Sequence, residues 1–243
     1  MFERCFGSTP TDLEGASVVR VQRITTPLRP MLAGATDDAL CLLKFVDRRA
    51  LPTQIARIRK GLGAVFVPDR NPIVEQTASE VESYFAGTLE VFTVPTSAPG
   101  TEFQKTLWRA LATIPYGETR SYAELAQTIS RPSAVRSVGS ANGMNALAII
   151  VPCHRVVGAD GKLVGYGGGV WRKQRLLELE VSATGGRTSC YGSCGRPGPA
   201  RTAQLASATR PKRRLREEYS EMACASVSPW KSGHMRSVNT SSA

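Results

Sequence analysis

The chain lacks any apolar run of the roughly 20 residues needed to cross a bilayer as a helix. Its opening stretch, MFERCFGSTPTDLEGAS, has neither the basic flank nor the hydrophobic segment of a secretory signal, so a protein retained inside the cell is expected. Cysteine is sparse and irregular: Cys5, Cys41, Cys153, Cys190, Cys194 and Cys224 form no disulfide framework and read as free thiols in a reducing compartment. Histidine is scarcer still, with only His154 and His234. The spacing of Cys190, Cys194, Cys224 and His234 fits no common zinc pattern. The sequence also has none of the usual cofactor motifs, so neither a metal nor an organic cofactor is expected.

Positive charge is present in excess, but its distribution is uneven. The net charge is +11, and residues 184–243 hold ten Lys or Arg against three Asp or Glu, a net +7, leaving +4 on residues 1–183. A polyanionic partner is one explanation, and a solvated basic tail is another. The tail is rich in Gly, Ser, Ala, Thr and Arg, poor in large apolar groups, and expected to be disordered. Its cluster Pro211-Lys-Arg-Arg-Leu-Arg216 reads equally as an import signal, a phosphate-binding strip or a chance grouping.

The 243 residues, 42% of them apolar, suffice for one large domain or two small ones. After a flexible leader over 1–20, VQRITTPLRPMLAGATDDALCLLKFV alternates apolar and polar residues around the turn signal Ala35-Thr-Asp-Asp38, which predicts a small sheet. Leu51, Ile55, Ile58 and Leu62 recur at helical spacing, as do Ile73, Thr77, Val81, Tyr84 and Phe85, so two helices are expected to cover it. The segment VPTSAPGT breaks the periodicity and reads as a linker between a 21–96 domain and a 97–183 domain. Thr101 and Gln104 form a capping box before Phe103, Leu107, Leu111 and Ile114. Ser121 and Glu124 cap a second helix that Arg131-Pro132 ends, and Ser133 is read as the cap of a third helix reaching about Gly143. The pair forms a helix-turn-helix, which by pattern alone is as compatible with ordinary packing as with DNA binding. The fold class expected is α+β.

Ala148-Ile-Ile-Val151 reads as a buried strand ending in Pro152-Cys-His-Arg155, so a thiol and an imidazole emerge together. An ordinary thiol, with a pKa of about 8.5, is only slightly ionised at neutral pH and needs a base or cationic field to react. His154 and Arg155 are candidates for these, and a buried structural cysteine beside a satisfied histidine is the alternative. A base imidazole is best oriented by a carboxylate. Glu180 shares the core-facing stripe of a 170–180 helix with Leu176 and Leu177, which makes it the favoured candidate, against a surface charge at a helix end.

Ile114-Pro-Tyr-Gly-Glu-Thr119, Ser121-Tyr122, Arg136-Ser-Val-Gly139, Asn145, Pro152-Cys-His-Arg-Val156 and Gly165-Tyr-Gly-Gly-Gly169 with Arg172-Lys173 and Leu176-Leu177 stand in one order over 101–180. In this the chain resembles the O6-alkylguanine-DNA alkyltransferases. Weaker similarity, as in Pro30-Met-Leu-Ala-Gly-Ala-Thr36, reaches back to about residue 22 and is similar to the methyltransferase half of bacterial adaptive-response regulators. Nothing corresponds to the zinc-binding phosphotriester domain of those regulators, and the tail has no counterpart in the family.

The resemblance implies a small ribonuclease-H-like domain followed by a winged helix-turn-helix-like catalytic domain. It makes Cys153 the alkyl acceptor, His154 its base through a water, and Glu180 the orienter of His154. Tyr122 is implied as proton donor to the guanine, and Asn145 as the pin of the turn behind the recognition helix. Arg136, with Ser137, Gly139, Ala141 and Tyr122, is implied to contact double-stranded DNA from the minor groove around a flipped base. Carbonyls of Cys153 and Val156 and the backbone of Tyr166 and Gly167 are implied to read the base edge. A monomer with no membrane partner is expected, cytoplasmic in a bacterium or nuclear in a eukaryote. The rival readings are a binding module with an inert Cys153, a promoter-specific transcription factor, and a cysteine hydrolase with multiple turnovers.

Overall fold

Burial alternates along Ser17–Ile24, with Val19, Val21 and Ile24 turned inward, and this segment forms β1 of the computed structural model, which describes residues 17–184. It pairs antiparallel with β2 (Met31–Ala35), which pairs antiparallel with β3 (Leu40–Phe45). The turn between β2 and β3 is closed by the Thr36 amide on the Ala39 carbonyl at 3.0 Å, where the Asp-Asp signal placed it. Helix α1 (Leu51–Leu62) ends at Gly63 in the left-handed conformation and leads into β4 (Ala64–Pro68), which lies parallel to β1. A parallel neighbour needs a crossover, and α1 supplies it. The sheet order is β3-β2-β1-β4.

The apolar stripe of α1 (Leu51, Ile55, Ile58) packs with Val19, Val21 and Leu42, whereas α2 (Pro72–Phe85) places Val74, Val81 and Tyr84 against Ala33, Leu43 and Phe45. Adjacent strand residues such as Leu42 and Leu43 point to opposite faces, so the two helices cover the two sides of the sheet. Leu147, Ala148, Ile149 and Leu176 join the α2 side of this core, so the two halves of the chain share buried surface.

The second half comprises α3 (Glu102–Ala112), a two-residue β5 (Arg120–Ser121), α4 (Tyr122–Thr128), a 3-10 turn at Pro132–Ala134, α5 (Val135–Met144), a second 3-10 turn at Cys153–Arg155, β6 (Val156–Val157) and α6 (Val170–Ala183). Both capping boxes form: Thr101 with Gln104 on α3, and Ser121 with Glu124 on α4. Leu107, Leu111, Leu125, Val138 and Val156 close a core between α3, α4 and α5. The whole is a mixed α+β fold, and no helix among the described residues is long and apolar enough to cross a membrane.

Four expectations are corrected. Residues 17–20, read as flexible leader, are the first half of β1, because Val19 completes its alternation. Ser133 does not cap α5: it lies inside the 3-10 turn, and α5 starts after Ala134 with no side-chain cap. The 94–101 segment is not a free connector, since Val94 is buried and the Pro95 carbonyl and Ser97 amide hydrogen-bond to Leu40 at 2.8 and 2.9 Å. Ala148–Val151 is not a strand but a buried turn after a single bridge between Leu43 and Leu147. Apolar content there reports burial, which a turn satisfies as well as a strand does. Strand β4 was not expected, being a short apolar run directly behind a helix. The disorder and import readings of the tail, and its cysteines, concern residues outside those described.

Asn71 caps α2, its side chain accepting the amides of Ile73 and Val74 at 2.8 and 3.3 Å while its own amide donates to the Thr36 carbonyl at 3.0 Å. Asn71→Ala is expected to lower stability by about 1–2 kcal/mol, read as a drop of roughly 2–8 °C in the thermal midpoint. An unchanged midpoint would show that the cap contributes nothing.

Candidate active site

A cavity of about 250 Å³ opens between the two halves of the molecule, with Cys153 in its wall. Tyr122 and Asn142 line it from the α4 and α5 side, and Tyr166 with its neighbouring glycines from the loop before α6. Lys44, Phe45 and Arg48 line it from the end of β3. The Arg48 guanidinium lies close over Gly167: a Cβ there would be 2.6 Å from Cζ of Arg48 and would displace the guanidinium. Gly169 enters α6 at φ 92°, a conformation that side-chain-bearing residues rarely adopt.

Cys153 is 4% exposed and opens the 3-10 turn, its amide donating to the Val151 carbonyl at 2.7 Å. Asn145, buried, organises the turn before it. Its Nδ2 donates to the carbonyls of Leu147 and Val151 at 3.2 and 2.9 Å and to Sγ of Cys153 at 3.2 Å, and its Oδ1 accepts the Leu147 amide at 2.8 Å. Within this turn Ile149 stands at φ 73°, a strained position for a β-branched residue that its burial and the Asn145 contacts hold in place. The other described thiol, Cys41, lies in the sheet core, where burial pushes its pKa up to about 12.

His154 is fully buried, and its Nε2 lies 2.7 Å from Oε1 of Glu180. Burial pulls the imidazole pKa down, against the opposing pull of the Glu180 carboxylate. Burial would also push Glu180 up, but His154 and Arg155 outweigh it and hold the carboxyl at about 2. A neutral imidazole beside an ionised carboxylate donates from Nε2, so Nδ1 keeps its lone pair, and Nδ1 has no partner among the described residues. Arg155 does not face the thiol as a cationic field. Its Nε and Nη2 donate to Glu180 at 3.0 Å each, and Nη1 donates to the Ile114 carbonyl at 2.6 Å. The Tyr84 hydroxyl and the Gly117 amide complete the shell of Glu180, at 2.7 and 3.2 Å.

Of the residues singled out in the sequence, Cys153, His154, Glu180 and Asn145 are brought together, and Tyr122, Gly139, Tyr166 and Gly167 line the same cavity. Burial, then proximity to Cys153, raises the Tyr122 hydroxyl above its ordinary pKa and keeps it protonated. Arg136 and Ser137 are exposed on α5 beside a second groove of about 290 Å³. Ala141 is 4% exposed, its carbonyl accepts the Trp108 indole at 3.0 Å, and it lines that second groove together with Arg136 and Ser137. Val156 is fully buried and outside the cavity wall, its carbonyl already taking the Lys173 ammonium.

Lys44, Arg48 and Gln54 were not singled out. Gln54 Nε2 donates to the carbonyls of Met144 and Asn145 at 2.9 and 3.2 Å, and Arg48 Nη2 donates to the Gly143 carbonyl at 3.0 Å, tying the first half of the chain to the end of α5. The available signal was a lone lysine inside the apolar run Leu40-Cys-Leu-Leu-Lys-Phe45.

A reactive-cysteine cavity beside a helix-turn-helix has a match among known families: residues 102–182 match the 6-O-methylguanine DNA methyltransferase DNA-binding domain. The chain is 53% identical over 160 residues to the methylated-DNA–protein-cysteine methyltransferase of Methanosarcina mazei, covering 65% of this chain and 94% of that relative. It is 42% identical over 163 residues to the Mycobacterium leprae protein of the same name, covering 67% and 93%. Its fold resembles the crystal structure of Mycobacterium tuberculosis OGT in complex with DNA with a TM-score of 0.58 at 42% identity, over 68% of this chain and 94% of that one. The chain belongs to the methylated-DNA–protein-cysteine methyltransferase family.

Replacing one partner of a buried ion pair leaves the other charge stranded, so Glu180→Gln is expected to lose about 3–5 kcal/mol of stability at pH 7. The folded carboxyl titrates at about 2, below its unfolded value, so its contribution is complete above about 4.5 and fades as the pH falls towards 2. Urea denaturation of both proteins from pH 7 to pH 3 should show the gap closing below pH 4.5. A constant gap would contradict this.

Proposed function

We propose that this chain repairs DNA by moving a methyl or larger alkyl group from O6 of guanine, with O4 of thymine as a second acceptable position, onto its own Cys153. The observation that carries this reading is the 2.7 Å His154–Glu180 contact directly behind a cysteine that lines a cavity of about 250 Å³. Neutral His154 takes the thiol proton through a water at Nδ1, and the resulting imidazolium is held by Glu180. The thiolate attacks the alkyl carbon, the C–O6 bond breaks with its electron pair going to oxygen, and Tyr122 gives a proton to the guanine ring, its hydroxyl then being restored by the proton that His154 took from the thiol. Asn145 keeps the sulfur and the strained turn in register. The product is a thioether with no easy hydrolytic release, so one molecule repairs one lesion.

A base inside a duplex offers no path for in-line attack and is flipped out at a cost of a few kcal/mol. In this reading α4 and α5 dock on the minor groove, and Arg136 enters the stack where the base has left, with Ser137 and Gly139 against the backbone. The Cys153 carbonyl and the backbone at Tyr166 and Gly167 read the base edge. The antiparallel β1–β3 meander with β4 added through α1 supports a ribonuclease-H-like first domain that starts with β1 at Ser17 and runs to about residue 96. The helix-turn-helix with the short β5–β6 pair supports a winged-helix-like catalytic domain over 97–183. The protein works as a monomer on the chromosome, in the cytoplasm of a bacterium or the nucleus of a eukaryote.

After incubation with duplex DNA containing O6-methylguanine, mass spectrometry is expected to find one added methyl on the Cys153 peptide and none in Cys153→Ala. An unmodified Cys153 peptide would leave a binding module, and repeated turnover a hydrolase. Arg136→Ala should slow repair of duplex DNA at least tenfold while reaction with free O6-benzylguanine changes little, because only the duplex requires extrusion. Equal losses on both substrates would refute the intercalating role.

A further inference from the structure

We propose that the cavity accepts O6-alkyl adducts that end in a carboxylate, and that Lys44 is the side chain that selects them. This deepens the alkyl-transfer reading and rests on it. Lys44 belongs to β3, is 4% exposed, and lines the same cavity as Cys153. Among the described residues, that cavity wall holds no carboxylate and two cations, Lys44 and Arg48. Arg48 is engaged by Gln54 and the Gly143 carbonyl, and Lys173, the other buried lysine near Cys153, by the carbonyls of Val156 and Val164. The Lys44 ammonium has no hydrogen bond or carboxylate partner among the described residues, and an ionised Cys153 is the group that favours its charge.

A buried ammonium without an acceptor is costly, and such groups are normally paired. Burial pulls Lys44 down to about 8, which leaves it protonated at neutral pH. A neutral methyl adduct presents nothing for it to bind. A carboxymethyl group on O6 places its CH2 carbon at Cys153 and a carboxylate one bond further on, where a cation offsets the repulsion between that carboxylate and the attacking thiolate. The step balances as for methyl: the S–C bond forms, the C–O6 bond breaks with its pair going to O6, and the thiol proton ends on guanine. The products are S-carboxymethyl-Cys153 and guanine, with the carboxylate unchanged.

The test uses the full chain and duplexes carrying O6-methylguanine, O6-carboxymethylguanine or its near-isosteric neutral amide, O6-carbamoylmethylguanine. Single-turnover rates of Cys153 alkylation are measured for the native chain, Lys44→Met and Lys44→Arg. The carboxymethyl-to-carbamoylmethyl rate ratio is expected to exceed one in the native chain, to fall at least tenfold in Lys44→Met, and to recover in Lys44→Arg. Because each variant is compared with itself across two adducts, partial misfolding cancels. Methyl transfer with a ratio at or below one, or a ratio unmoved by Lys44→Met, overturns the inference and leaves the repair reading intact. No methyl transfer to Cys153 of the native chain overturns the repair reading, and this inference with it.

Discussion

A single buried carboxylate, Glu180, holds the site together. It is withdrawn from solvent and accepts hydrogen bonds from Tyr84 on α2, the Gly117 amide in the turn after α3, and both His154 and Arg155 in the turn that begins with Cys153. Burying a carboxylate is unfavourable unless its lone pairs are filled, and here they are filled from three separate parts of the chain. The same contacts that keep Glu180 ionised therefore orient His154 and anchor the turn of the nucleophile. Stability and reactivity rest on one group, so a change that relaxes the shell disturbs both.

The nucleophile also depends on the sheet half, although Cys153 and His154 belong to the other. Gln54 and Arg48 grip the carbonyls at the end of α5, immediately before Asn145, and Asn145 in turn holds the strained turn through Ile149 and touches the sulfur. Arg172 works in the same direction on the glycine loop, donating to the Leu28 and Gly168 carbonyls and to Asp47 while lying over Phe45 and against Trp171. The cavity is thus an interface feature, with one wall from β3 and the others from α4, α5 and the loop before α6.

Much was legible from local pattern. Helices α1 to α4, the Thr101 and Ser121 capping boxes and the β2–β3 turn followed from periodicity and side-chain chemistry within a few residues. The failures share a cause. Apolar content at Ala148–Val151 signals burial without specifying backbone shape, and the backbone there is bent by Asn145, not extended by a sheet partner. Ser133 has a capping residue's chemistry, but Arg131-Pro132 directs it into a 3-10 turn.

The amino-acid sequence alone determined which residue types meet at the reactive turn, because Pro152-Cys-His-Arg155 is contiguous and His154 is the sole histidine between residues 17 and 184. It also pointed to Glu180, whose place on the inward stripe of α6 follows from helical spacing. Only the tertiary structure decided that Arg155 serves Glu180 instead of the thiol, that Lys44 and Arg48 face the cavity, and that Val156 does not. Those assignments depend on contacts between residues up to about a hundred positions apart. Local periodicity gives the direction of a side chain relative to its own element and carries no information about what the rest of the chain places opposite it.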